Sequence, residues 1–197
     1  MPDPNPAVLA YLATRRSPGA KTFTAPVPDR DAVLQILTLA ARVPDHGKLE
    51  PWRMIVLDRA AMARLADLAE ARALALGGDA QMVEKGRGQF DRGQLAVVVI
   101  SSPKPAEKVP LAEQLLSAGA LCMNIVHAAT AAGWGACWLS GWPSHDAAFR
   151  AEAFGCTAQE TVAGIIHIAT PGPMGPDRPR PDLSRLVSWA DEDDTFR

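Results

Sequence analysis

The chain has 197 residues, 48% of them apolar and 21% charged, and a net charge of −2; this supports one domain, 1–197, with a sizeable core and excludes bulk disorder. The absence of a basic excess argues against nucleic acid as a partner. Cys122, Cys137 and Cys156 are odd in number, widely spaced and free of any CxxC, which reads as reduced thiols of a cytoplasmic protein rather than a disulfide frame or a zinc site. The N-terminus has no basic start followed by a long apolar run, so no signal peptide is expected.

In chain order, Pro6 to Arg15 reads as a first helix, with Asn5 as its cap and Pro6 in a tolerated first-turn position. Asp29 or Asp31 opens a second helix through about Ala41, with Val33, Ile36, Leu37 and Ala40 on one face. The loop RVPDHGKLEPW (residues 42–52) follows, then a short strand, WRMIVLD. A long helical region starts near Ala60 and loosens at Gly77–Gly78; its polar end, EKGRGQFDRG, reads as a mobile flap. LAVVVISS is the clearest buried strand. Pro110 starts a helix to about Ala132 that is apolar nearly all round and so belongs in the middle of the domain. ACWLS is a third strand. SHDAAFRAEAFG is a short helix capped by Ser144 and stopped by Gly155. TVAGIIHIAT is a fourth strand, Pro171 to Pro181 an irregular tail, and Leu183–Ala190 a last helical piece. Four or five strands with helices on both faces result, and the pattern leaves parallel and antiparallel pairing open.

From Gln114 to His145 there is no Asp, Glu, Lys or Arg. That length matches a bilayer. Asn124, His127 and the break at GWGACWLSGWP favour a buried helix followed by a buried strand, so no membrane is expected.

None of GxGxxG, GxxxxGK[ST], HExxH or GxSxG occurs. His46, His127, His145 and His167 have no metal spacing, and His127 and His167 read as satisfied core or surface histidines. Two clusters stand out. Arg15, Arg16 and Ser17 follow the first helix; arginine forks suit a phosphate, and arginines also sit well at a helix C-terminus. Arg42, His46 and Lys48 crowd the 42–52 loop, stiffened by Pro44 and Pro51; Asp45 either caps the turn or orients His46. Together the clusters suggest an anionic ligand.

The order RRS, then R-x-P-D-H…P-W-R into a strand, then an apolar helix ending GWGACWLSG, then AFG…VAGIIHIATP, resembles the nitroreductase family of flavin enzymes, in particular the short bacterial NAD(P)H nitroreductase branch. The resemblance covers about Leu9 to Pro171. It implies an α+β fold with a mixed, mainly antiparallel sheet flanked by helices, and an intertwined homodimer holding FMN at its interface. Carried over by position, Arg15, Arg16 and Ser17 hold FMN phosphate and ribityl groups. Arg42 and His46 reach FMN from the other subunit, and Trp138, Leu139 and Ser140 lie beside the ring through backbone contacts. Ala128, Ala129, Thr130, Ala131, Ala132 and Gly133 touch NAD(P)H. Leu139 stands where the branch commonly has arginine, so only a backbone contact is implied there. The implied activity is hydride transfer from NAD(P)H through flavin N5 to a nitroaromatic or quinone-like acceptor, with no protein nucleophile. Other flavin chemistry, such as dehydrogenation or dehalogenation, and a non-catalytic flavin-binding redox sensor are the alternatives.

Overall fold

A computed structural model describes residues 3–189. Short polar side chains start its helices. Asn5 opens α1 (Pro6–Thr14), Asp29 opens α2 (Arg30–Ala40), Asp58 opens α3 (Arg59–Ala75) and Asp79 opens α4 (Ala80–Arg87), each accepting from the amide three residues on. Those amides have no partner inside the helix, so the caps supply one. The remaining elements are β1 (Trp52–Leu57), β2 (Ala96–Ser101), α5 (Leu111–Ala131), β3 (Gly135–Leu139), α6 (Trp142–His145), α7 (Ala147–Phe154) and β4 (Thr161–Ala169).

The four strands lie in the order β1-β2-β4-β3, and all three pairings are antiparallel. Side chains alternate between the two faces. Val97, Val99, Ile166 and Ile168 meet Ile36, Leu37, Leu121 and Ile125 of α2 and α5 on one face. Val98, Ile100 and Ile165 meet Leu65, Phe149 and Phe154 of α3 and α7 on the other. Every residue of β2 is buried, as its unbroken apolar run requires of a strand covered on both sides. Each large side chain in these layers contributes about 1.5–3 kcal/mol.

Three expectations need correction. The EKGRGQFDRG segment is not a flap. It forms the last turn of α4 and a following turn, pinned by a wholly buried Phe90 stacked on Phe149. Arg87 adds contacts to Asp67 (2.9 Å), Glu70 (2.5 Å) and Asp91 (2.9 Å). The cap of the short helix is Asp146, which accepts from Phe149 N at 2.7 Å and pairs with Arg72 at 2.9 Å. Ser144 instead lies buried inside the one-turn α6. Finally, α5 is central along one face only. Leu111, Leu115 and Leu116 are 68%, 51% and 72% exposed. No helix among the described residues is long and apolar enough to cross a membrane. Pro171 to Pro181 is irregular as expected, and a single 3-10 turn spans Leu183–Arg185. Ala190, the expected end of that piece, lies outside the described residues.

A partly buried ion pair ties two of the quoted motifs together. Arg53, from PWR, binds Glu160 through two bonds of 2.8 and 3.0 Å and donates to the Phe154 carbonyl of AFG at 3.0 Å. Arg53 is the main influence holding the Glu160 carboxyl down at about 2, against desolvation that pushes it up. These motif residues therefore lock β1 to the turn before β4.

Candidate functional site

The chain leaves α1 at Arg15, whose amide still donates to Tyr11 O. Tyr11 in turn donates to His127 O at 3.0 Å and meets the His127 ring edge-on, fastening α1 to α5. His127 thus has the satisfied surroundings expected of it; burial pushes its imidazole pKa down, and the charge of Arg15 acts in the same direction. Arg15, Arg16 and Ser17 then turn toward β3 and line a cavity of about 420 Å³ with Cys137, Trp138 and the tail residues Asp177 to Pro181. Arg16 contacts Asp177 at 2.5 Å, and Arg180 donates to the Ala13 carbonyl. Arg15, Arg16, Arg178 and Arg180 thus share this wall with one carboxylate, Asp177. That excess of positive charge suits an anion with several oxygens.

Trp138 closes the far side. Its indole lies against Gly164, where a Cβ would sit 2.2 Å from Nε1. Only a residue without a side chain leaves room for this placement. Leu139 lines a second cavity, of about 280 Å³, with Gly19, Ala20, Lys21, Gly88, Gln89, Arg92, Cys137 and His167. Ser140 lines a third, of about 450 Å³, which shares Gly88, Gln89 and Arg92 with the second. The structure therefore gathers Arg15, Arg16, Ser17, Trp138, Leu139 and Ser140 into one run of hollows around the end of β3.

Arg42 and His46 stand apart from these hollows. His46 Nδ1 lies 2.8 Å from Glu113 Oε2, on an exposed surface. The Arg42 carbonyl accepts from Asn124 at 3.1 Å. Asp45 caps the turn: its carboxylate accepts from Leu49 N at 3.0 Å and Glu50 N at 2.9 Å. That cap supports the left-handed backbone at Gly47, Lys48 and Glu50. Ala128 to Gly133 end α5 and lead to β3. Ala129 is wholly buried in the core and offers no surface to a ligand, whereas Ala131, Ala132 and Gly133 are exposed.

His167 departs from its expectation. It is 1% exposed, and neither ring nitrogen has a hydrogen-bond partner. Burial pushes its pKa down to about 4, so it is neutral at neutral pH; a nearby backbone group of Gln89 opposes that shift without reaching hydrogen-bond geometry. Lys21, Gln89 and Arg92 belong to the lining but carry no sequence signal: Lys21 lies between the first two helices, and the other two lie in the polar EKGRGQFDRG segment. Arg178 and Arg180 lie in the irregular Pro171–Pro181 tail, where no local pattern in the sequence brings them to the cavity.

The Nitroreductase family profile matches residues 12–170. The chain is 34% identical over 163 residues to YdjA of Escherichia coli, provisionally named an NAD(P)H nitroreductase, covering 83% of this chain and 87% of that one. A Haemophilus influenzae protein with the same provisional name is also 34% identical, with 82% and 87% covered. The fold is similar to a nitroreductase-like protein of Bacillus cereus, with a TM-score of 0.75, 21% identity and 96% and 98% of the two chains covered. It is also similar to a nitroreductase with bound FMN from Bacteroides fragilis, with a TM-score of 0.71, 18% identity and 93% and 98% covered. With most of its length matched by the profile and by these relatives, the chain belongs to the nitroreductase family.

Proposed function

We propose that the protein is an FMN-dependent oxidoreductase that takes hydride from NAD(P)H and reduces a nitroaromatic or quinone-like acceptor. The observation that carries this reading is the arginine-walled cavity beside Trp138, next to the hollows lined by Leu139 and Ser140. Its dimensions and donors suit a phosphate at one end and a planar ring at the other. Arg15, Arg16 and the Ser17 hydroxyl would hold the phosphate and ribityl groups. Backbone groups of Trp138 to Ser140 would flank the ring, and Leu139 would contribute no charge. FMN, when bound, supplies hydride acceptance and donation at N5. The cations Lys21 and Arg92 on the cavity lining would favour negative charge on a reduced ring. The exposed end of α5, with Ala131 to Gly133, would meet the dinucleotide.

A homodimer is part of this reading. Val8, Leu9 and Leu12 on α1 and Leu111, Leu115 and Leu116 on α5 are all about half exposed or more. Apolar faces of this kind favour a partner surface. A second copy seated there would let its Arg42 and His46 reach the cofactor, which supports their distance from the hollows within one chain.

The test is a spectrum and a turnover assay on the purified protein. A yellow dimer with one FMN per chain, oxidising NADH or NADPH in the presence of a nitroaromatic or quinone, is the expected result. A protein that takes up no FMN overturns the reading. Bound FMN without turnover replaces it with the redox-sensor alternative, and FMN reduction by a small metabolite alone replaces it with other flavin chemistry.

A further inference from the structure

The 450 Å³ cavity is a groove between α4 and the turn from Ser140 to Trp142, and it shares Gly88, Gln89 and Arg92 with the 280 Å³ cavity lined by Leu139. Its α4 wall is fixed. Trp142 Nε1 donates to the Met82 carbonyl at 3.0 Å, and Gly86 packs on the indole so closely that a Cβ there would sit 2.6 Å from Cζ2. The last turn of α4 carries two cations that are used differently. Arg87 meets Asp67, Glu70 and Asp91. Lys85 lines the groove, exposed, and meets no carboxylate among the described residues. Arg92 meets one, Glu84, at 3.1 Å, with both side chains largely in solvent. Over the two cavities the charged lining is therefore Lys21, Lys85 and Arg92 against Glu84 alone, because His167 is neutral.

A lysine in the last turn of a helix is favoured by the helix dipole without any ligand. That accounts for Lys85 by itself, but not for three cations around adjoining hollows with one carboxylate between them. Like charges gathered in this way repel one another, and an anion that enters relieves the repulsion. The contact with Glu84 does not stand in its way: a single exposed ion pair is worth little against water, so an incoming anion can take Arg92 over. The Trp142 indole on the same lining offers an apolar surface to a ring. We propose that this groove admits the electron acceptor and selects aromatic acceptors that carry a negative group, a carboxylate or sulfonate, through Lys85 and Arg92. The inference rests on the flavin reading above, in which Ser140 flanks the ring, and it names the acceptor class that the reading leaves open. Lys85 is then a specificity-determining residue, and Glu84 opposes it by repelling the acceptor and holding Arg92.

The experiment sets para-nitrobenzoate against para-nitrobenzamide, which differ in charge at one position, in FMN-loaded wild type, Lys85→Gln, Lys85→Arg and Glu84→Gln. The reading is the ratio of the two kcat/KM values; comparing that ratio between variant and wild type cancels the unequal reactivity of the two compounds. Lys85→Gln is expected to lower the ratio about threefold to fivefold and Glu84→Gln to raise it by about the same factor, the range of a single exposed charge contact. Lys85→Arg, which keeps the charge, should keep the ratio. Raising salt from about 50 to about 500 mM should bring the wild-type ratio down toward that of Lys85→Gln, because it screens exposed charges. Both positions are exposed on α4, so the variants are expected to fold. A ratio that neither Lys85→Gln nor Glu84→Gln moves overturns the inference and leaves the flavin reading standing. If Lys85→Gln instead weakens reduction by NADPH relative to NADH while the acceptor ratio stays fixed, the cations serve the extra phosphate of the dinucleotide and the acceptor assignment falls. Wild-type protein that reduces neither compound nor any quinone overturns the proposed function, and the inference with it.

Discussion

Two polar regions of this molecule are built in opposite ways. Around Arg53 and Glu160 every charge is met: the carboxylate takes two bonds from the guanidinium and one from the Thr157 amide, and the guanidinium also meets the Phe154 carbonyl. Around the end of β3, four arginines share a wall with one carboxylate, and His167 and Gln89 have buried atoms without partners. A closed network of the first kind holds the chain to itself. An open one of the second kind has capacity left for something else. Arginines thus serve structure in one place and, in the proposed reading, binding in the other, and the balance of charge around them is what separates the two.

Substitutions should split along this line. Replacing both Arg15 and Arg16 by Ala is expected to weaken FMN binding about a hundredfold, through loss of charge-assisted bonds, while the melting temperature stays near wild type; fluorescence titration and calorimetry check the pair. Arg53→Met is expected to do the reverse. It leaves the Glu160 charge buried without its partner and destabilises the fold by about 2 kcal/mol, less than a fully buried pair would because Arg53 is partly exposed; urea unfolding measures this, and FMN affinity should not move. Acid probes the same pair. The Glu160 carboxyl sits near about 2 in the fold against an ordinary 4.5. Its contribution is therefore complete above pH 4.5 and is lost as pH falls toward 2. The loss of stability over that window should be smaller in Arg53→Met than in wild type. The smallest effect belongs to Asp177→Asn, which removes the exposed carboxylate beside Arg16. FMN affinity should rise about twofold to fivefold, as expected for release of a surface ion pair. A fall instead would mean that Asp177 positions Arg16 rather than competing for it.

Much of the fold is legible from local pattern. The spacing of Val33, Ile36, Leu37 and Ala40 marks the buried face of α2, and all four are buried. The β-branched run in β2 marks a strand covered on both sides. Gly155 stops α7 in a left-handed conformation, as a helix-ending glycine does. What pattern misses depends on partners far away in sequence. Ser144 and Asp146 are both acceptable caps, and the contact with Arg72 on α3 accompanies the choice of Asp146. The polarity of EKGRGQFDRG hides a single anchoring aromatic, Phe90, and carboxylates on α3 that meet Arg87. In the site, Arg15, Arg16 and Ser17 are legible because they are adjacent. His167 reads as an ordinary strand residue, since whether a buried ring finds a partner is decided by the segments packed over it. Gln89 and Lys21 belong to the same class, as does the tail that brings Arg178 and Arg180 to the cavity.

The anchoring of the segment after α4 has a consequence for how a ligand meets the cavity. Fixing a residue of loose backbone costs roughly 1–2 kcal/mol. Phe90 and Arg87 impose that order when the chain folds, before any ligand arrives. Gly88, Gln89 and Arg92 therefore stand as a preformed wall, and binding against them spends no further backbone entropy. On the proposed reading, a small cavity can then hold its ligand tightly, because little of the interaction is consumed in building the receptor.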